Sequence, residues 1–588
     1  MSKGQQHVYA TGLIALHLLL TVAYSVIVPL GEAPDETDHW SYVVYLAEHK
    51  QLPVGPKPTQ SKHPPLYHIG AALVALPAKP TFGFLRANPD IQIPPVPGVP
   101  NFFIHTAQES WPWRDGALAF HLARLWSVLL STATVAAAYG LMQSAFPTQG
   151  AWVLATTGVL ALIPEFSMIG GALNNDNAAA FFGTLSLWGA IAIYRARGKL
   201  AAGWWLPIAL GCGLLSKVST LAVWPTAALA ILWGVFARTE DQAANAQDPW
   251  RRAIRTGLIA FGGATLLAAP WLLRNWQLYG DPTGMALTRQ TIDLRLAPWT
   301  WADTTWLVRG WFFSFWGKFG VIGHLLLPAW IYRALALLTV ISGLGLIKCF
   351  WRPPTPQTRP MLLLLALTAI STMVLIWQYS LIALGTDQGR LLYPAVAPLV
   401  ALFVGGLLAW PPARWQWSSV HLLIGLFLAL ALYALLGVVR PAFAPPPPVT
   451  AAALATIAKP SEKAASFGDL ALNTWQLTDE PILYWQATQP IPTDLRVVLR
   501  VIAEDGTLVW DWKRSPGAGQ WSTDHWPPGV VVRDAYQIRW PEWAQAGRYR
   551  VEVGVQPFGE DFLLPTRDNQ AVDGGHPFVF LGWLAYTP

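Results

Sequence analysis

The chain has 588 residues, of which 53% are hydrophobic and only 12% charged. Soluble globular chains carry about 25% charged residues, so this composition excludes a wholly soluble protein and assigns most of the length to lipid. The net charge is +6, yet residues 441–588 alone hold 16 acidic against 11 basic residues. The positive excess therefore belongs to the apolar part, which points to cytoplasmic basic loops rather than to a nucleic-acid partner.

A run of roughly 17–25 apolar residues is the length signal for a membrane helix. Eleven such runs are predicted: 8–30, 118–143, 150–168, 177–194, 201–216, 218–237, 254–273, 325–348, 361–384, 391–410 and 418–439. The first reads as a span rather than a cleaved leader, because it is long and is followed by an acidic stretch instead of a small-residue cleavage site. The split of 201–237 at Lys217 competes with one long tilted helix. The 33 Trp residues suit two aqueous interfaces. The two cysteines, Cys212 in an apolar run and Cys349 beside a basic loop, give neither a disulfide framework nor a thiolate metal site. No glycine fingerprint for a nucleotide is present.

Orientation follows from Lys and Arg. The loops holding Arg195, Arg197 and Lys199, then Arg238 to Arg255, then Lys348, Arg352 and Arg359, then Arg414 all fall on one side. That side is expected to be cytoplasmic, with the N-terminus, in a multi-pass inner-membrane protein. The other side receives 31–117, 169–176, 274–324, 385–390 and the C-terminal tail, and with them nearly all the chemically interesting residues.

The first outer loop opens with "GEAPDETDHWSYVVY" (31–45). Ionisable groups beside a bilayer are costly unless solvated or paired. Asp35 could simply cap the helix that follows, with Glu36 and Asp38 complementing its dipole. A carboxylate here could equally be a general base or a metal ligand. His39 stands four residues after Asp35, on the same helix face. Further on, "SKHPPLYHIGAALVAL" (61–76) contains two prolines and a short apolar helix that is too brief to span, preceded by Lys62 and His63. Residues 441–454, opening "PAFAPPPPVT", form a stiff linker. Beyond it, short alternating runs such as "LRVVLRVIA", "GVVVRDAYQIRW" and "RYRVEVGV", separated by turn signals, predict an all-β sandwich over 455–588.

An acidic pair just after the first span, followed by "HPPLY", resembles the GT-C membrane glycosyltransferases, more narrowly the bacterial relatives of protein O-mannosyltransferases and the lipid A aminoarabinose transferase. "FHLARLWSVLLS" (120–131), "GGALNNDNAAAF" (170–181), "LLSKVSTLAVWP" (214–225), "PWLLRNWQLYGDPTG" (270–284), "FFSFWGKFG" (312–320) and "DQGRLLYPAVAP" (387–398) follow in order and cover roughly 30–400. The resemblance implies a polytopic, GT-C-like transmembrane domain over 1–440. That domain would move a sugar from a polyprenyl-phosphate donor to a glycan, lipid or protein acceptor on the non-cytoplasmic face. In that frame Asp35 matches the family's first-loop acid and serves as general base, with Glu36 orienting it or binding a metal. Arg390 in "DQGR", Arg274, Lys62, His63 and Arg124 become candidates for the donor phosphate. Asp176, Asn175, Trp316 and Lys318 become candidates for the sugar or acceptor. Capping explains the Asn/Asp cluster equally well, and an aromatic belt explains "WGKF". No cofactor is certain; a divalent metal would draw on Glu36 and His39. Two rival functions stay open, a flippase of lipid-linked glycans and a binding scaffold on a decayed enzyme frame. The better-known family members lack this acidic sandwich tail, so the acceptor does not carry over.

Overall fold

The computed structural model describes residues 1–89, 91, 101–237, 248–457, 465–478, 480–566 and 577–587. Arg238 and the tail segment 458–464, both used in the sequence reading, lie outside this set. The chain divides into two compact units. The first comprises Met1–Val28, Ala33–Phe82 and Leu118–Pro441; the second comprises Pro29–Glu32, Gly83–Ala117 and Ala442–Pro588.

The first unit is helical. Helix α1 (Lys3–Ile27) starts at a capping box in which Ser2 accepts from the Gln5 N–H and the Gln5 side chain answers the Ser2 N–H. It is followed by α2 (Glu36–His49), α3 (Leu66–Ala75), α4 (Asp115–Ala145), α5 (Gly150–Leu162), α6 (Pro164–Gly170) and α7 (Asp176–Arg195). Among the described residues, nine helices are long and apolar enough to cross a membrane. They are α1, α4, α7 and the segments Val218–Phe236, Pro249–Tyr279, Ala329–Trp351, Thr358–Ser380, Gly389–Leu408 and Ala413–Phe443. Helices α5 and α6 make a tenth only if taken together, since Pro164 begins a second helix bent 61° from the first.

Eleven spans were expected from hydropathy; among the described residues 150–168 is broken at Pro164, and 201–216 has no helix of spanning length. The helix in 201–216 runs only from Leu206 to Leu214. It stops because Lys217 adopts extended backbone, φ −160 and ψ 128, and turns its ammonium to Asp176. An ammonium within an apolar stretch is served by a partner, and the helix ends where Lys217 reaches one. The segment after Pro64-Pro65 is a ten-residue helix, α3, too short to span.

The second unit is built on two antiparallel four-stranded sheets. Short pairs β1 (Arg86–Ala87) with β2 (Phe103–Ile104), and in the first unit β3 (Lys318–Phe319) with β4 (Leu325–Leu326), precede them. One large sheet has the order β10-β7-β6-β5, from Val531–Ala535, Ile482–Ala487, Leu470–Gln476 and Ala465–Phe467. The other has the order β12-β11-β8-β9, from Val579–Tyr586, Gly547–Pro557, Leu495–Ala503 and Leu508–Arg514. The alternation in "RYRVEVGV" turns Val551, Val553 and Val555 inward, where they share one core with Trp475, Trp485 and Val532 of the facing sheet. This is the predicted sandwich.

Besides Ala442–Pro588, the unit takes in described parts of the stretch between α1 and α4. Arg86 faces Asp494 at 3.6 Å, Asn101 Nδ2 donates to Gly519 O at 2.6 Å, and the Ser110 hydroxyl meets His525 Nε2 at 2.7 Å. His105 sits between Glu109, 2.9 Å from Nδ1, and Glu32, 3.3 Å from Nε2. Burial pulls the His105 imidazole down, but Glu109 and Glu32 outweigh it and push it up to about 10 from the ordinary 6.5. A raised folded-state value stabilises fully below 6.5 and is lost as pH rises through about 10. Hydrogen-exchange protection of 101–110, corrected for intrinsic rates, is therefore expected to fall between pH 7 and 10. His105→Gln should remove that pH dependence.

Candidate active site

Asp35 occupies the residue before α2, where a capping side chain would sit. It does not cap: its backbone is left-handed, φ 58 and ψ 8, and its side chain makes no hydrogen bond to the helix. That conformation is uncommon outside glycine, though Asp and Asn tolerate it best. It turns the carboxylate away from the helix, where Oδ2 accepts from Arg390 Nη2 at 2.6 Å. The Asp35 side chain keeps 46% of its exposure while that of Arg390 keeps 3%. An accessible carboxylate thus rests on a cation that water barely reaches. Desolvation pushes the Asp35 carboxyl up, but Arg390, with Lys217 and Lys62 behind it, holds it below the ordinary 3.8.

Arg390 is placed by glycine. The turn Gly389–Ala395 lies against the backbone of Trp311–Phe315, and a Cβ at residue 389 would collide with Phe315. The Gly389 N–H donates to Ser314 Oγ at 2.9 Å. From there Arg390 sends Nη1 to Asp176 Oδ2 at 3.0 Å and Nε to Gln388 Oε1 at 2.7 Å.

Asp176 is fully buried and is not placed to meet a sugar. Its second oxygen takes the ammonium of Lys217, so one carboxylate bridges two cations. The Asn/Asp cluster around it is structural. Asn174 Oδ1 accepts the Asp176 N–H at 2.9 Å, and Asn174 Nδ2 holds Pro34 O at 3.1 Å, fixing the residue before Asp35. Asn175 is buried and reaches Ser216 O at 3.4 Å. Lys62 completes the cluster. Burial lowers its ammonium, while Asp35 and Asp38 pull it back up; its Nζ also donates to Thr291 O at 3.3 Å. Lys62, Lys217 and Arg390 thus balance Asp35, Asp38 and Asp176, and an arriving anion must compete for its partners.

Several expected residues lie elsewhere. Glu36 neither orients Asp35 nor faces it. Both its oxygens are held by Arg124, Nε at 2.7 Å and Nη2 at 2.6 Å, and Oε1 also accepts the Leu173 N–H at 2.8 Å. Arg124 is likewise not available to a phosphate. It is fully buried, and Nη1 donates to Ser25 O and Val28 O at 2.7 Å each, tying the end of α1 to the start of α2. Arg274 donates to Pro53 O at 2.7 Å and lies over the Trp271 ring, outside the ion cluster. Trp316 is buried against Phe403 and Phe427. Lys318 stands nearer the site, 3.6 Å from Asp387 in the "DQGR" turn.

A divalent metal does not fit the residues put forward for it. Glu36 is occupied by Arg124, and His39 Nδ1 faces His68 Nε2 at 2.9 Å. No group of three His, Cys, Asp or Glu residues able to hold a metal occurs among the described residues. His39 and His63 stack with ring centroids 6.2 Å apart. Burial, and then the neighbouring histidines and cations, hold both well below the ordinary 6.5, so they are neutral at pH 7. The residue that sequence reasoning missed is Lys217. A lone ammonium inside the apolar stretch "LLSKVSTLAVWP" was the available signal, because such a charge needs a partner.

No protein-family model and no curated protein sequence matches the chain. Among solved structures, the chain is similar to ArnT from Cupriavidus metallidurans bound to undecaprenyl phosphate, at 14% identity and a TM-score of 0.43, over 74% of this chain and 65% of that one. The apo state of the same protein gives 14% identity and a TM-score of 0.42, over 72% and 63%. The oligosaccharyltransferase of Archaeoglobus fulgidus, in complex with Zn and sulfate, gives 12% identity and a TM-score of 0.37, over 73% and 52%. The chain thus spans between about half and two thirds of the length of these proteins.

Proposed function

We propose that the chain is a membrane glycosyltransferase that moves a sugar from a polyprenyl-phosphate carrier to an acceptor hydroxyl on the non-cytoplasmic face. The observation that carries the reading is Asp35, an accessible carboxylate that caps nothing and rests on a buried guanidinium. The ordered family motifs over roughly 30–400 agree with it.

In the reaction, Asp35 takes the proton from the acceptor hydroxyl as its oxygen attacks the anomeric carbon. The bond from that carbon to the phosphate oxygen breaks, and polyprenyl phosphate leaves with the electron pair. Arg390 and Lys62 stabilise the leaving phosphate, and Lys217 supports Arg390 through Asp176. The resting Arg390–Asp35 pair makes Asp35 a poor base. A donor phosphate that draws Arg390 to itself loosens that pair and raises the carboxylate's proton affinity when a proton must be taken. The base is thus activated by its own substrate.

The experiment is a turnover assay of the purified protein with a panel of polyprenyl-phosphate sugars; absence of transfer from every member would sink the reading. Arg390→Ala is expected to weaken binding of undecaprenyl phosphate roughly tenfold to a hundredfold, the worth of a charge-assisted hydrogen bond. Undiminished binding by that variant would remove Arg390 from the donor site. Orientation is tested by single cysteines in a chain lacking Cys212 and Cys349. Thr507→Cys should react with an impermeant reagent on intact cells and Lys199→Cys only after permeabilisation. The reverse pattern would overturn the sidedness.

A further inference from the structure

Helix α2 carries a second feature that the ion cluster does not use. Asp38, Ser41, Tyr45 and Glu48 follow one another at intervals of three and four, so they form one stripe along the helix. The stripe begins beside the site, where Asp38 hydrogen-bonds Thr59 and feels both Asp35 and Lys62. Its later members Ser41, Tyr45 and Glu48, with Val44, form one wall of a cleft of about 280 Å³, whose other wall comes from Lys57, Pro58 and Phe82. Both walls thus continue the elements that bear the reacting groups, α2 for Asp35 and the 57–62 segment for Lys62. Ser41 lies about 9 Å along the helix axis from Asp35, at a rise of about 1.5 Å per residue.

The chemistry of the walls selects the occupant. Glu48 and Lys57 give no net charge, Ser41 and Tyr45 bring hydroxyls, and Phe82 keeps 40% of its exposure. The Tyr45 ring is braced by His49, with centroids 4.2 Å apart and planes at 14°. A lipid chain would meet two exposed charged side chains. A peptide that binds by strand addition needs a strand edge, and these walls are a helix and a proline-bearing segment. Hydroxyl groups beside a braced aromatic ring and an exposed one, without net charge, suit a neutral carbohydrate.

We infer that this cleft receives a neutral oligosaccharide acceptor and directs one of its hydroxyls toward Asp35. The inference rests on the transferase reading above and adds the acceptor class. It is tested with the full-length protein in phosphatidylcholine nanodiscs, on an array of defined neutral oligosaccharides and a parallel array of Ser/Thr peptides. The wild type should retain a subset of the oligosaccharides, and Tyr45→Ala and Phe82→Ala should each weaken that retention at least tenfold. Both variants should bind undecaprenyl phosphate and melt as the wild type does. Retention unchanged in both variants, no oligosaccharide retained by the wild type, or Tyr45-dependent capture of peptides instead would each overturn the assignment. Arg390-dependent binding of undecaprenyl phosphate tests the donor reading separately, so either claim can fail while the other stands.

Discussion

Asp35→Asn is expected to give a folded, membrane-inserted protein whose turnover is lower by about 10²–10⁴-fold, the range for loss of a general base. The substitution is chosen to isolate chemistry from structure. Asn keeps the shape, tolerates the left-handed backbone at φ 58, and would cap a helix as well as Asp does. Were Asp35 a cap, Asn would preserve function, and full turnover by purified Asp35→Asn would remove it from the mechanism. The pH profile offers an independent check. In the free protein Asp35 is held below the ordinary 3.8, chiefly by Arg390 against the opposing effect of burial. A base is lost on protonation, so the acid limb of kcat/KM should lie below that value. With donor bound, the phosphate competes for Arg390, and the acid limb of kcat should lie at higher pH than that of kcat/KM. Coincident limbs would mean that the pair is not opened by the donor.

The largest effect on folding is expected from Glu36→Ala. The change strands the Arg124 guanidinium, which is fully buried and has Glu36 as its bidentate partner. Removing one member of a buried pair typically costs about 3–5 kcal/mol, because the other charge stays where water cannot solvate it. Thermal unfolding in detergent should show a sharply lower midpoint and a poor yield of monodisperse protein. The double variant Glu36→Ala with Arg124→Met should recover much of the loss, since it leaves no unpaired ion. A midpoint for Glu36→Ala equal to that of the wild type would show that the pair contributes no net stability.

These two variants expose what the amino-acid order could and could not tell. Asp35 and Arg390 stood out because each is ionisable at the end of an apolar run. That they meet across 355 residues is a property of the packed helices, and no local pattern carries it. Asp35 and Glu36 read as one acidic pair, with Glu36 orienting Asp35 or binding a metal. One residue of helix is about 100° of rotation, so the neighbour points into the core while Asp35, held in the left-handed region, points out. Arg124 read as a candidate for the donor phosphate for the same reason: its carboxylate partner lies 88 residues away. The sandwich was legible because alternation of apolar residues has a period of two wherever one face is buried. The stretches 29–32 and 83–117 have no such period. Their described residues meet the rest of the second unit through contacts such as Asn101 to Gly519, which leave no trace in composition. The short helix at 206–214 was misjudged by hydropathy, which scores Lys217 as one unfavourable residue and does not register that Asp176 awaits it.

Asp176 divides one negative charge between Lys217 and Arg390. Such a carboxylate works as a charge buffer. When an anion draws on Arg390, the share of Asp176 released there falls to Lys217, which stands between the short helix Leu206–Leu214 and the segment Val218–Phe236. On the proposed reading, the cluster can then admit a phosphate without leaving an ammonium or a carboxylate unpaired. Asp176→Asn would lose this buffering while keeping the hydrogen-bonding shape. Affinity for undecaprenyl phosphate should then rise with the added positive charge, and turnover should fall because the product phosphate, once made, leaves slowly. On that reading, the grip on a lipid phosphate is set as much by the acid that restrains the cations as by the cations themselves.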